Sequence, residues 1–144
     1  MSNIKFAHTE PEIRRCWMVM QELRPRLKED NFVSQILRQH QQGYQLIFIE
    51  ENGLVVSAAG FRISEFLEWG KMLYIDDLIT LPAYRRKGYG GRLIDFLVAF
   101  ADNNSCQQIH LDSGHARYDA HRLYLDKGFK ITGHHLSILL KKNH

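Results

Sequence analysis

Apolar positions along the chain change their spacing several times, and each change marks an element. After Thr9, apolar Ile13, Cys16, Trp17, Met20 and Leu23 recur at helical spacing as far as Pro25. The start is well signalled: Thr9 can cap, Pro11 sits in the first turn, and Glu12 completes a capping box. A second helix is predicted from about Asn31 to Gln42, with Phe32, Val33, Ile36 and Leu37 on one face and Gly43 as its stop. Tyr44 to Glu50 and Leu54 to Ile63 are β-rich runs joined by Glu51-Asn52-Gly53, whose Asn-Gly pair signals a hairpin. A further strand, about Met72 to Leu81, is apolar on both faces through Leu73-Tyr74-Ile75 and Leu78-Ile79, as a strand inside a sheet is. A helix should begin near Gly88 and carry Leu93, Ile94, Leu97, Val98 and Ala101. Ile109-His110-Leu111 reads as a short strand, and Tyr118 to Lys127 as a helix ending at a C′ glycine, Gly128. Ile131 to Leu140 is expected to supply one or two closing strands. An early hairpin followed by alternating strands and helices predicts an α/β fold around one mixed sheet.

Composition narrows the class without naming a function. The 144 residues suit one domain, with 44% hydrophobic and 24% charged positions. No run approaches the ~20 apolar residues of a membrane span, and Met1 to His8 lack the apolar core of a leader, so a cytoplasmic protein with no membrane partner is expected. Cys16 and Cys106 lie far apart without metal-ligand spacing and read as free thiols rather than a disulfide. The eight histidines form no HExxH or Cys/His cluster, so no metal is expected. A net charge of +3 with no isolated basic run gives no argument for nucleic acid.

The most informative segment is Leu81-Pro82-Ala83-Tyr84-Arg85-Arg86-Lys87-Gly88-Tyr89-Gly90-Gly91, which joins the buried strand to an amphipathic helix. Three glycines in four positions let backbone N–H groups approach a ligand closely. The new helix adds unpaired donors and the positive end of its dipole, and Arg85, Arg86 and Lys87 add three positive charges. This chemistry suits a phosphate-bearing ligand; the alternative is a tight strand-to-helix turn. The segment lacks the Gly-Lys-Ser/Thr ending of a P-loop, and it is not GxGxxG, so nucleotide hydrolysis and dinucleotide binding are disfavoured.

Arg85-Arg86-Lys87-Gly88-Tyr89-Gly90 resembles the [QR]-x-x-G-x-[GA] signature of the GNAT superfamily of N-acetyltransferases. Ile75-Asp76-Asp77-Leu78-Ile79-Thr80-Leu81-Pro82 is similar to that family's fourth strand. Ala120-His121-Arg122-Leu123-Tyr124-Leu125-Asp126-Lys127-Gly128-Phe129 is similar to its A-x-x-[LF]-Y-x-x-x-G-F segment. These motifs stand in the family's order across residues 72–129. The resemblance implies a single N-acetyltransferase domain over residues 1–144, with six or seven strands flanked by about four helices.

It also implies acetyl-CoA as co-substrate and an amine as acceptor. The pyrophosphate would be held by Arg85, Arg86, Lys87, Gly88, Tyr89, Gly90 and Gly91, and the pantetheine arm by the backbone of Leu78, Ile79 and Thr80. Tyr124 takes the place of the general acid toward the coenzyme A thiolate; read from the residues alone, the alternative is a core aromatic of the last helix. Asp76 and Asp77 are the places for a base or a holder of a cationic acceptor, with Asp77 more often acidic across the superfamily. Successive strand residues face opposite sides, so both can enter one pocket only if a bulge intervenes. The plain alternative is a strand-end acid paired with a nearby Arg or Lys.

Ser113 to Tyr124 resembles the form found in aminoalkylphosphonate acetyltransferases, which favours a small-molecule acceptor, while Glu65, Glu68 and the two aspartates suit a cationic amine. The family's acceptor pocket often draws on the Ser64 to Trp69 turn. His115 and His121 stand near the acceptor side with packing roles equally open, and the family's frequent Asn is absent near Arg117. A homodimer is implied by resemblance alone. Other readings are a protein or peptide acetyltransferase, and an acetyl-CoA-binding sensor or interaction module without catalysis.

Overall fold

A computed structural model of the chain describes residues 3–113 and 118–140, with residues 118 and 119 described by backbone only. Two compact units divide it, Met1–Leu111 and Asp112–His144.

The first unit is built on a five-stranded sheet in the order β1 (Ile4–Phe6), β2 (Gln45–Glu51), β3 (Leu54–Phe66), β4 (Gly70–Thr80) and β5 (Gln108–Leu111). The first four strands are antiparallel neighbours, and β5 joins β4 in parallel, making the sheet mixed as expected. The β2–β3 turn follows from Asn52-Gly53: both residues have positive φ, 52° and 82°, which the two-residue hairpin requires and which Asn and Gly tolerate best. At three residues, β1 is too short to leave a periodic signal, so the residue pattern alone does not reveal it.

Helices cover both sheet faces, which explains the near-continuous apolar runs of β2 and β3. On one side lie α1 (Glu10–Arg15), α2 (Trp17–Leu23) and α3 (Glu29–His40), whose Ile13, Val19, Met20, Phe32 and Ile36 pack with Leu46, Phe48 and Ala58. On the other side α4 (Tyr89–Asn103) brings Phe96 and Phe100 against Phe6 and Phe61. The capping box read from the sequence is present: Thr9 N–H donates to Glu12 Oε1 at 3.0 Å, and Glu12 N–H donates to Thr9 Oγ1 at 3.3 Å. The predicted long first helix is two pieces, because Cys16 N–H turns back to the Ile13 carbonyl at 2.9 Å and tightens the chain there.

The second unit holds α5 (Tyr118–Asp126). It ends as predicted at Gly128, whose φ is 96°. Gly128 N–H donates to the Leu125 carbonyl and Phe129 N–H to that of Tyr124, the paired bonds of a glycine-terminated helix. The expectation of six or seven strands is corrected here to five among the described residues. Ile131 to Leu140 forms no strand among the described residues. A β-rich composition makes a strand only beside a partner edge, and the described residues of the unit Asp112–His144 contain no other strand for it to pair with. The helix count, expected at about four, is close: five α-helices and one turn of 3₁₀ helix, Pro82–Tyr84, among the described residues.

Candidate active site

The site begins with an irregularity in β4. Gly60 faces Asp77 and Phe61 faces Ile75, so Asp76 is an extra residue with no partner across the ladder. This bulge cancels the alternation that would send the two aspartates to opposite faces. Both line one cavity of about 440 Å³, which is the condition the sequence set for a shared role. Tyr74, two residues before the bulge, lines it too, and α2 and α3 close it with Met20, Phe32 and Ile36.

Each aspartate is held by an arginine. Arg62, on the neighbouring strand, donates from Nη2 to Asp76 Oδ2 at 2.6 Å, and its Nε lies 3.1 Å from both carboxylate oxygens. Arg24, at the end of α2, donates from Nε to Asp77 Oδ1 at 3.1 Å and from Nη2 to the Asp76 carbonyl at 3.0 Å, so it clasps the bulge itself. The second oxygen of Asp77 accepts from the Tyr44 hydroxyl at 2.8 Å. Tyr44 in turn lies beneath the Arg62 guanidinium, 5.5 Å from ring centre to Cζ. Its room comes from Gly60, where any β-carbon would overlap the phenol oxygen.

Electrostatics follow from this burial. Desolvation raises the Asp76 carboxyl above its ordinary range, against the opposing pull of Arg62. Burial, with the charge of Asp77 next, pushes the Tyr44 phenol well above its usual value and keeps it a donor. Tyr44, Arg24, Arg62 and Arg26 were not singled out by sequence reasoning. The available signals were weak: Arg-Pro-Arg at a helix end, and a tyrosine directly after the Gly43 stop.

Beyond the bulge the strand changes role. Pairing with β5 stops at Ile75 opposite Leu111, so the edge of β4 from Asp76 to Thr80 carries no ladder to β5. Leu78 and Ile79 are buried, and Ser57 donates to the Ile79 carbonyl at 3.1 Å while sharing a hydrogen bond with Thr80 Oγ1 at 2.8 Å. The glycine loop follows. Arg85 Nε reaches back to the Thr80 carbonyl at 3.3 Å, Lys87 Nζ lies 5.3 Å from the Tyr84 ring centre, and Arg86 has φ of 64°. Gly88 takes φ of 88° just before α4, which is why a glycine stands there. The first N–H of α4 to bond back within the helix is that of Arg92, to Gly88, leaving those of Tyr89, Gly90 and Gly91 directed out of its end.

Tyr124 lies on α5 in the second unit, is buried, and packs edge-on against Phe129 with ring centres 6.0 Å apart. His121 is on the same helix, whereas His115 and Arg117 lie outside the described residues. The Ser64 to Trp69 turn contributes no residue to the cavity; Trp69 instead packs on Phe66 and His110. Among the described residues no group of side chains could hold a metal ion, and no helix is long and apolar enough to cross a membrane.

The profile of the family described as Acetyltransferase (GNAT) family matches residues 9–129. An uncharacterized N-acetyltransferase, YhdJ, of Bacillus subtilis (strain 168) is 31% identical over 136 residues, which are 93% of this chain and 96% of that protein. Two solved structures share the fold. A transcriptional regulator from Bacillus halodurans C-125 superposes with a TM-score of 0.84 at 20% identity, over 97% of this chain and all of that one. An aminoglycoside N-acetyltransferase, AAC(6')-Iy, in complex with CoA gives 0.80 at 15% identity, over 100% of this chain and 97% of that one.

Proposed function

Because the chain belongs to the GNAT acetyltransferase family, and is thereby an acetyl-CoA-dependent acyltransferase, we propose that it acetylates a primary amine of a small molecule by direct transfer. Met1–Leu111 and Asp112–His144 then work as one domain, a reading supported by a family match that spans both. The observation that carries the amine assignment is the β4 bulge, which turns two carboxylates into one cavity of small-molecule size.

The chain's residues divide the work. The N–H groups of Tyr89, Gly90 and Gly91, with Gly88 setting their direction and Arg85, Arg86 and Lys87 supplying charge, hold the pyrophosphate of acetyl-CoA. The edge of β4 at Leu78, Ile79 and Thr80, which carries no ladder to β5, pairs with the pantetheine arm, and a backbone N–H there polarises the thioester carbonyl. The amine nitrogen attacks that carbonyl carbon, forming a C–N bond as the C–S bond breaks. Tyr124, protonated at neutral pH, gives its proton to the departing thiolate. The proton lost by the amine passes to the aspartate pair. Asp76, whose carboxyl is raised by desolvation, is the better matched acceptor, and Asp77, fixed by Arg24 and Tyr44, holds the amine in place. The finer likeness to aminoalkylphosphonate acetyltransferases belongs to this reading as well.

Thiol release from acetyl-CoA with a mixed panel of amines tests the proposal. Release with one class of small amine is the expected outcome. Release only with peptides would refute the small-molecule assignment.

A further inference from the structure

The cavity's charge count does not balance. Its lining holds Asp76, Asp77, Arg24 and Arg26 as charged groups. Asp77 is spent on Arg24, and Asp76 on Arg62 from outside the lining. Three guanidinium groups therefore meet two carboxylates, and the one left over is Arg26, which has no partner among the described residues. It follows Pro25, which ends α2 and carries the chain along the cavity wall. The rest of the lining combines apolar Met20, Leu27, Phe32 and Ile36 with the uncharged polar side chains of Gln35, Gln39, Tyr44 and Tyr74.

We propose that the acceptor carries an anionic group in addition to its amine, and that Arg26 binds that group. This rests on the amine-acetyltransferase reading and names its substrate class. A carboxylate, phosphate or phosphonate on a short apolar body would place its anion on the guanidinium, the residue type best suited to such a group. A polyamine would not suit the cavity. Its second ammonium would find no unpaired carboxylate among the lining residues and would meet the like charge of Arg26. Arg24 and Arg62, which come from elsewhere in the chain, balance the charge of Asp77 and Asp76, so the pair serves one amine and offers no surplus negative charge to a second cation.

The test compares γ-aminobutyrate, aminopropylphosphonate, butylamine and putrescine as acceptors, in wild type and in Arg26→Gln and Arg26→Glu. In parallel, the N-acetylated acids are titrated calorimetrically into the CoA-loaded protein. Wild type is expected to prefer an acid over butylamine in kcat/KM, and the two acids separate carboxylate from phosphonate recognition. Arg26→Gln should shrink that preference about tenfold through KM, and Arg26→Glu should shift it toward putrescine. Arg26 is exposed, so both variants should fold, which thermal melts check. Transfer to butylamine or putrescine with no preference for an acid would overturn the inference and leave the acetyltransferase reading standing. No transfer, but binding of the acids that Arg26→Gln abolishes, would support the inference and count against the amine-transfer reading. Failure of the loaded protein to bind or acetylate any acid would also overturn it.

Discussion

Replacing Tyr44 with phenylalanine removes one oxygen from the least exposed part of the site. The phenol is 1% exposed, and its hydroxyl donates to Asp77 Oδ2 at 2.8 Å. The variant keeps the ring, its contact with Gly60 and its place beneath Arg62. It leaves one carboxylate oxygen without a donor, in a side chain only 14% exposed. A hydrogen bond to a charged partner is worth about 1.5–3 kcal/mol net, and Arg24 still covers the other oxygen, so a loss near the lower end, about 1.5–2 kcal/mol, is expected. Urea unfolding at neutral pH measures it, and a double-mutant cycle with Asp77→Asn assigns it to this pair.

The same bond gives a pH signature. An unfolded tyrosine ionises near ~10, while the folded Tyr44 titrates well above that, so the unfolded state releases its proton first as pH rises. The stabilisation is therefore complete below ~10 and is lost as pH climbs above it, so the gap between wild type and Tyr44→Phe should close in the alkaline range. A neutral-pH loss below about 0.5 kcal/mol, or a gap that stays constant into the alkaline range, would refute the reasoning.

Three further outcomes are expected. Gly60→Ala puts a methyl where the Tyr44 oxygen sits, and should cost about 1–3 kcal/mol in urea unfolding while erasing the alkaline signature. Tyr124→Phe should lower kcat about 100-fold with little change in acetyl-CoA affinity by calorimetry; an unchanged kcat would sink the general-acid role. Gly90→Glu sets a carboxylate at the mouth of α4, and should abolish the rise in melting temperature given by acetyl-CoA; a retained rise would count against the loop.

Local chemistry carried most of what could be read in advance. Thr9 and Glu12, Asn52 and Gly53, and Gly128 each fix a backbone geometry within a few residues, and each stands where its chemistry predicts. The loop from Arg85 to Gly91 was legible for the same reason. Pairings across long separations were not. Arg24 lies 53 positions from Asp77, and Tyr44 lies 33. The bulge was visible only as a condition, since nothing about Asp76 by itself says that Phe61 will skip it to face Ile75. Ile131 to Leu140 failed as a strand because composition records a preference, while pairing depends on where another edge lies.

That extra residue in β4 also sets how the gene can change. Substitutions at Asp76 or Asp77 alter a side chain and leave the strand's phase intact. Deleting one residue between Ile75 and Leu78 would remove the bulge; because Gly60 already faces Asp77 and Phe61 already faces Ile75, Leu78 to Thr80 would keep their faces, and the cavity would lose one of its two carboxylates. The second carboxylate of the cavity thus depends on chain length as well as residue type, and libraries aimed at new acceptors should keep the length of this segment fixed.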